Sequence, residues 1–146
     1  MELDRRNVLL AGAVGSAAMA LPMIGFAQDA APEKTADELI AEFTGGAEAG
    51  EGDGITLTAP EIAENGNTVP ISVEAPDASE ILVLAPGNPT PPVATFKFGE
   101  LAGAHMASTR IRLAKTQDIV AVAKLADGSF VKASSNVKVT IGGCGG

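Results

Sequence analysis

Cys144 is the only cysteine in the 146 residues, and it stands between two glycine pairs, Gly142-Gly143 and Gly145-Gly146. A thiol acts chemically as its thiolate, a soft nucleophile. A structural cysteine behaves as a small apolar residue and wants packed neighbours. Glycines offer none, and they raise the entropic cost of ordering a segment. The pattern therefore predicts an accessible thiol, a point of covalent attachment, on a flexible tether formed by Gly142, Gly143, Gly145 and Gly146. With Ile141 as the last anchored residue, the three links to Cys144 give a reach of roughly 10 Å. The bland alternative is a frayed terminus with an incidental cysteine.

The other residues offer little chemistry. His105 is the single histidine. It could serve Cys144 as a base, or it could be an ordinary surface or turn residue. One His and one Cys fall short of a blue-copper site, which takes two His and a Cys, and of a structural zinc site. No glycine-rich phosphate loop and no nucleophile elbow is present. No cofactor or metal is expected, and no carboxylate pair has a spacing that singles it out. Met106 reads as a packing residue. A lone cysteine rules out an intramolecular disulfide framework; in an exported protein it suggests reactivity or pairing between molecules. The formal net charge of −8 disfavours nucleic acid and anionic membranes as partners.

The elements that must position the thiol are written in the rest of the chain. Residues 1–27 read as a signal peptide. Arg5-Arg6 precedes a short, weakly hydrophobic run from Val8 to Ala20, and Gly25-Phe26-Ala27 offers small residues for cleavage. The paired arginines point to the twin-arginine route and a periplasmic destination; an ordinary secretory signal is the alternative. Residues 28–54 are a linker and an N-terminal helix. Thr35 and Glu38 form a capping box, Ala36, Leu39, Ile40 and Phe43 share a face, and Gly45-Gly46 ends the helix. Ala47 to Gly54 is acidic and glycine-rich, and is expected to be a mobile loop.

Residues 55–141 form the main domain. Strands are expected at 55–58, 69–74, 81–84, 93–98, 106–113, 118–125 and 130–141. Ser134-Ser135-Asn136 is expected to make a bulge or bend, and Asp127-Gly128 a hairpin turn. Ile81 to Leu84 is apolar throughout, as for a strand buried on both faces. Pro86, Pro89, Pro91 and Pro92 keep residues 86–92 out of a central sheet position. About seven evenly spaced strands indicate a mainly β, antiparallel sandwich with a short N-terminal helix. No Trp or Tyr is present, so the core must be aliphatic.

Gly142-Gly143-Cys144-Gly145-Gly146 resembles the end of the SoxY family, the substrate carriers of the bacterial sulfur-oxidising (Sox) system. Glu64-Asn65-Gly66-Asn67-Thr68-Val69-Pro70-Ile71 resembles that family's early-strand segment. The resemblance implies an immunoglobulin-like sandwich and a periplasmic heterodimer with a SoxZ-like subunit. It implies a non-catalytic carrier holding thiosulfate-derived sulfur on Cys144. It also implies transient visits to a Sox cytochrome, a hydrolase and a sulfane dehydrogenase, which bring their own cofactors. Two other chemistries use the same residues. One is a stand-alone thiol enzyme of the peroxidase type. The other is a sulfur carrier activated at the C-terminal Gly-Gly carboxylate. On the carrier reading, Gly143→Val and Gly145→Val are expected to leave the fold intact and to impair loading by partner enzymes at least tenfold.

Overall fold

The computed structural model describes residues 34–143. The signal segment 1–27, the start of the linker, and Cys144, Gly145 and Gly146 lie outside the described residues. The first element is helix α1, Ala36–Thr44. Its capping box forms as the sequence predicts: the Glu38 amide donates to Thr35 Oγ1 at 3.3 Å, and the Thr35 amide donates to Glu38 Oε2 at 2.7 Å. Gly45 closes the helix in the left-handed region at φ 66°, where a residue without Cβ meets no steric penalty. Phe43 meets Phe130 edge to face, with centroids 5.8 Å apart. That contact packs the helix against the start of the last strand.

Nine strands come after it among the described residues: β1 Ala49–Glu51, β2 Thr56–Thr58, β3 Ile62–Asn65, β4 Val69–Glu74, β5 Ala78–Leu84, β6 Pro92–Lys97, β7 Met106–Ile111, β8 Gln117–Leu125 and β9 Phe130–Ile141. The larger sheet runs β1-β9-β8-β5-β6, with β3 also on β9; the smaller runs β2-β4-β7. Between them lies an aliphatic core. Val69, Ile71 and Val73 of β4 face Ile81 and Val83 of β5, Ile119 of β8 and Val137 of β9. Alternation along each strand sends these side chains to one face. Ile81, Leu82, Val83 and Leu84 are all buried, as the unbroken apolar run predicts. The chain is thus mainly β, a sandwich with one short helix.

Three sequence expectations need correction, the first being the count of about seven strands, which β1 and β3 raise to nine among the described residues. The stretch 47–54 is not wholly a loop, because β1 lies within it and pairs parallel with Phe130–Lys132. The pairing is through backbone, with Lys132 and Glu51 in ion contact at 3.5 Å, so no hydrophobic alternation marks it. Likewise β3 has one buried side chain, Ala63, and leaves no apolar pattern to read. The expected bulge at 134–136 is absent: Val120↔Ser134, Ile119↔Ser135 and Asp118↔Asn136 pair without a register shift. The polar residues face across the ladder instead, with Asn136 Nδ2 donating to Asp118 Oδ1 at 2.8 Å. The Asp127-Gly128 turn does form, with Gly128 at φ 85° and the Ser129 amide donating to Asp127 Oδ1 at 2.8 Å. The prolines act as expected, for β6 begins at Pro92 and lies at the edge of its sheet.

Candidate functional site: the seat of the C-terminal segment

β9 is 12 residues long and carries the chain from the helix contact at Phe130 to the other end of the sandwich. Its outer edge is shared. β1 covers the first residues, and β3 covers Lys138 to Ile141 in parallel register. β3 then turns sharply into β4, with the Asn67 amide donating to Asn65 Oδ1 at 2.9 Å. Gly66 sits in this turn, and both of its backbone groups are used. Its amide donates to the Ile141 carbonyl at 2.7 Å, and its carbonyl accepts from the Leu113 amide at 2.8 Å. The Leu113 carbonyl in turn accepts from the Gly143 amide at 2.9 Å. Three backbone hydrogen bonds thus lace the end of β9, the β3–β4 turn and the loop after β7 together.

The glycines make this lacing possible. A Cβ on Gly142 would overlap the Ala114 carbonyl oxygen, and one on Gly143 would overlap the Gly66 carbonyl group and lie 2.5 Å from the Asn67 nitrogen. A Cβ on Gly66 would overlap the Leu113 oxygen and come within 2.9 Å of Val139 Cγ1. Real Cβ atoms do not approach so closely, so these positions require glycine because backbone lies against backbone. The sequence alone predicts Gly142 and Gly143 as the start of a free tether. The structure holds both against the body, so among the described residues the anchored chain runs past Ile141 as far as Gly143. The valine expectation changes with it: at Gly143 a side chain meets fixed backbone.

Cys144 and the second glycine pair lie outside the described residues, one peptide unit or more past this seat. His105 is described, and it sits elsewhere. It precedes β7, whereas Leu113 comes after that strand, and β7 alone spans about 17 Å at ~3.3 Å per step. His105 stacks on Phe98 with centroids 5.1 Å apart and planes 9° from parallel. His105 thus stands at the opposite end of β7 from the Leu113 carbonyl that holds Gly143. Among the described residues, no group of three or more His, Cys, Asp or Glu side chains could hold a metal ion.

These features define a class: β-sandwich proteins whose last strand hands a glycine-bound segment to one end of the sheet. The sequence matches the family described as Sulfur oxidation protein SoxY over residues 40–144, and the chain belongs to that family. Among solved structures it resembles the sulfur carrier protein SoxY from Chlorobium limicola f thiosulfatophilum. The two share 37% identity, covering 70% of this chain and 90% of that one, with a TM-score of 0.63. The superoxide reductase (neelaredoxin) from Ignicoccus hospitalis is also similar, at 18% identity over 73% of this chain and 94% of that one, with a TM-score of 0.51. That likeness is one of fold alone. No curated protein sequence matches the chain.

Proposed function

We propose that this protein is a periplasmic sulfur-substrate carrier, exported by the twin-arginine pathway, and that Cys144 covalently holds thiosulfate-derived intermediates. The protein works as a heterodimer with a SoxZ-like subunit and is itself non-catalytic. The observation that carries the reading is that, in a chain of the SoxY family, the lone thiol comes directly after a backbone seat at one end of the sandwich. On this reading the thiol is brought into the active sites of other proteins. The chemistry balances with partners that supply the redox equivalents. The Cys144 thiolate and thiosulfate join as Cys–S–S–SO₃⁻ while two electrons pass to a cytochrome. Water then cleaves the terminal sulfonate as sulfate, leaving Cys–S–S⁻ and two protons in all. A sulfane dehydrogenase takes six electrons from the remaining outer sulfur while three waters supply its oxygens, giving Cys–S–SO₃⁻ and six protons, and a second hydrolysis releases sulfate and two protons and returns the Cys144 thiolate.

The test is a mass spectrum of the protein recovered from the periplasmic fraction of thiosulfate-grown cells. The reading expects thiosulfonate or persulfide mass on the Cys144 peptide, co-elution with a second small subunit, and no turnover by the reconstituted system with Cys144→Ser. A serine hydroxyl is a poor nucleophile at neutral pH. Undiminished turnover with that variant, or cargo at the Gly146 carboxylate, would overturn it.

A further inference from the structure

The loop that seats Gly142 and Gly143 is itself braced from a distance. Asn88, in the connection between β5 and β6, grips both flanks of Leu113. Its Nδ2 donates to the Arg112 carbonyl at 2.7 Å, and its Oδ1 accepts from the Ala114 amide at 2.9 Å. Asn88 Oδ1 also accepts from Gln117 Nε2 at 2.8 Å. The amide can face only one way, because two donors meet the oxygen and a carbonyl meets the nitrogen. Gln117 is buried, and its Oε1 accepts from the Gly87 amide at 2.7 Å. Asn88 is fixed in turn by its own backbone amide, which donates to the Ala85 carbonyl at 3.0 Å. Leu113 is wholly buried, so side chain and backbone are both constrained at the residue whose N–H and C=O hold Gly66 and Gly143. On the other side, Thr116 Oγ1 accepts from the Val139 amide at 2.9 Å and so hooks the same loop to β9.

We infer that Asn88, together with Gly66, is a positioning residue for the Cys144 thiol. The Asn88 amide holds the 112–114 loop in the shape that Gly143 needs. The loop then fixes the root of the tether at Gly143, so the direction in which Cys144 leaves the body is set by the sandwich. A thiol rooted one residue away sweeps a far smaller volume than one rooted at Ile141, three residues away. The encounter with a recessed active site then starts from a narrower set of arrangements, and less freedom is lost on docking. The use of this device rests on the carrier reading; the brace does not.

The experiment uses the full mature chain. Amide exchange at Gly143 and the spectrum of a nitroxide attached to Cys144 read the root, and loading of unlabelled Cys144 by the thiosulfate-coupling partner reads its use. Asn88→Ala lies in a surface connection and leaves the core residues intact. It is expected to speed Gly143 exchange about tenfold, a loss of roughly 1.4 kcal/mol of local closure. It is also expected to narrow the nitroxide lines and to slow loading, while reaction with a small neutral alkylating agent holds its rate. Asn88→Asp keeps the two acceptances but sets a carboxylate oxygen against the Arg112 carbonyl in place of a donor, so Gly143 exchange should quicken here too. Gly66→Ala should reproduce the alanine effect if it folds. Fast Gly143 exchange in the unaltered protein, or exchange indifferent to Asn88, would overturn the brace. A brace that responds while loading does not would overturn the positioning role. Absence of any cargo on unaltered Cys144 would instead refute the carrier reading, and the exchange data would still stand.

Discussion

At Gly143 the amide donates to Leu113 and the α-carbon faces the Gly66 carbonyl, so a side chain has no space to enter. Gly143→Val must either push the Gly66 turn away or lift the end of β9 from its seat. Overpacking of this kind costs about 1–3 kcal/mol. We expect the variant to fold with a lowered denaturation midpoint and with faster exchange at Gly66 and Leu113. Gly103 is the control. A Cβ there meets nothing within 4 Å, so Gly103→Val should stay within about 0.5 kcal/mol. Equal midpoints for the two valine variants in a urea titration would refute the tight fit. The sequence names the residues involved and misleads about their role. Gly142 and Gly143 read as spacers because glycine is the usual source of chain freedom. The same absence of a Cβ also permits backbone to lie on backbone, and only the partner segment tells the two apart. That partner stands in the sequence as Asn65-Gly66-Asn67, yet nothing local says that a turn near residue 66 touches a strand end near residue 142.

Among the elements, legibility tracks the strength of the local signal. α1 announces itself by Thr35, Glu38 and Gly45, and the hairpin by Asp127-Gly128, because caps and tight turns are written in consecutive residues. Strands with one face in the core, such as β4, show their alternation. β1 and β3 do not, since each is held on β9 by backbone pairing and buries almost no side chain. β3 is the element that brings Gly66 to the seat, so the strand that matters most to the site is the least visible. The capping box also carries a pH dependence. The Thr35 amide and hydroxyl hold the Glu38 carboxyl below its ordinary 4.5. A carboxylate with a depressed folded-state pKa adds stability above its unfolded pKa, and that stability is lost as pH falls through the folded value. α1 should therefore be fully capped at neutral pH and fray below the ordinary carboxylate range. In Glu38→Gln, fraying should no longer depend on pH at this residue. Amide shifts of Glu38 and Leu39 recorded through an acid titration check this, and a titration identical in both proteins would count against it.

For the molecule as a whole, the seat joins the two sheets at the end of the sandwich. β9 belongs to the larger sheet, the Gly66 turn leads into β4 of the smaller, and Leu113 comes just after β7 of the smaller. Among the described residues, Gly143 is the outermost link in that tie. The tail therefore has two parts with separate consequences for the fold, and chain shortening should separate them. A protein ending at Gly143 keeps all three hydrogen bonds of the seat and lacks only Cys144, Gly145 and Gly146. A protein ending at Ile141 keeps the Gly66-to-Ile141 and Leu113-to-Gly66 bonds, loses the bond from the Gly143 amide, and uncovers the slot that Gly142 and Gly143 fill. A lost hydrogen bond is worth about 0.5–1.5 kcal/mol net. In a domain of this size each kcal/mol shifts the thermal midpoint by roughly 4 °C or more. We expect the chain ending at Gly143 to melt with the full-length mature protein. The chain ending at Ile141 should melt several degrees lower, with faster amide exchange at Gly66 and Leu113. Coincident melting of all three proteins would mean that residues 142 and 143 rest on the sandwich without tying it. If the chain ending at Gly143 melted as low as the shorter one, the tie would depend on residues beyond the seat, and the division of the tail at Gly143 would be wrong.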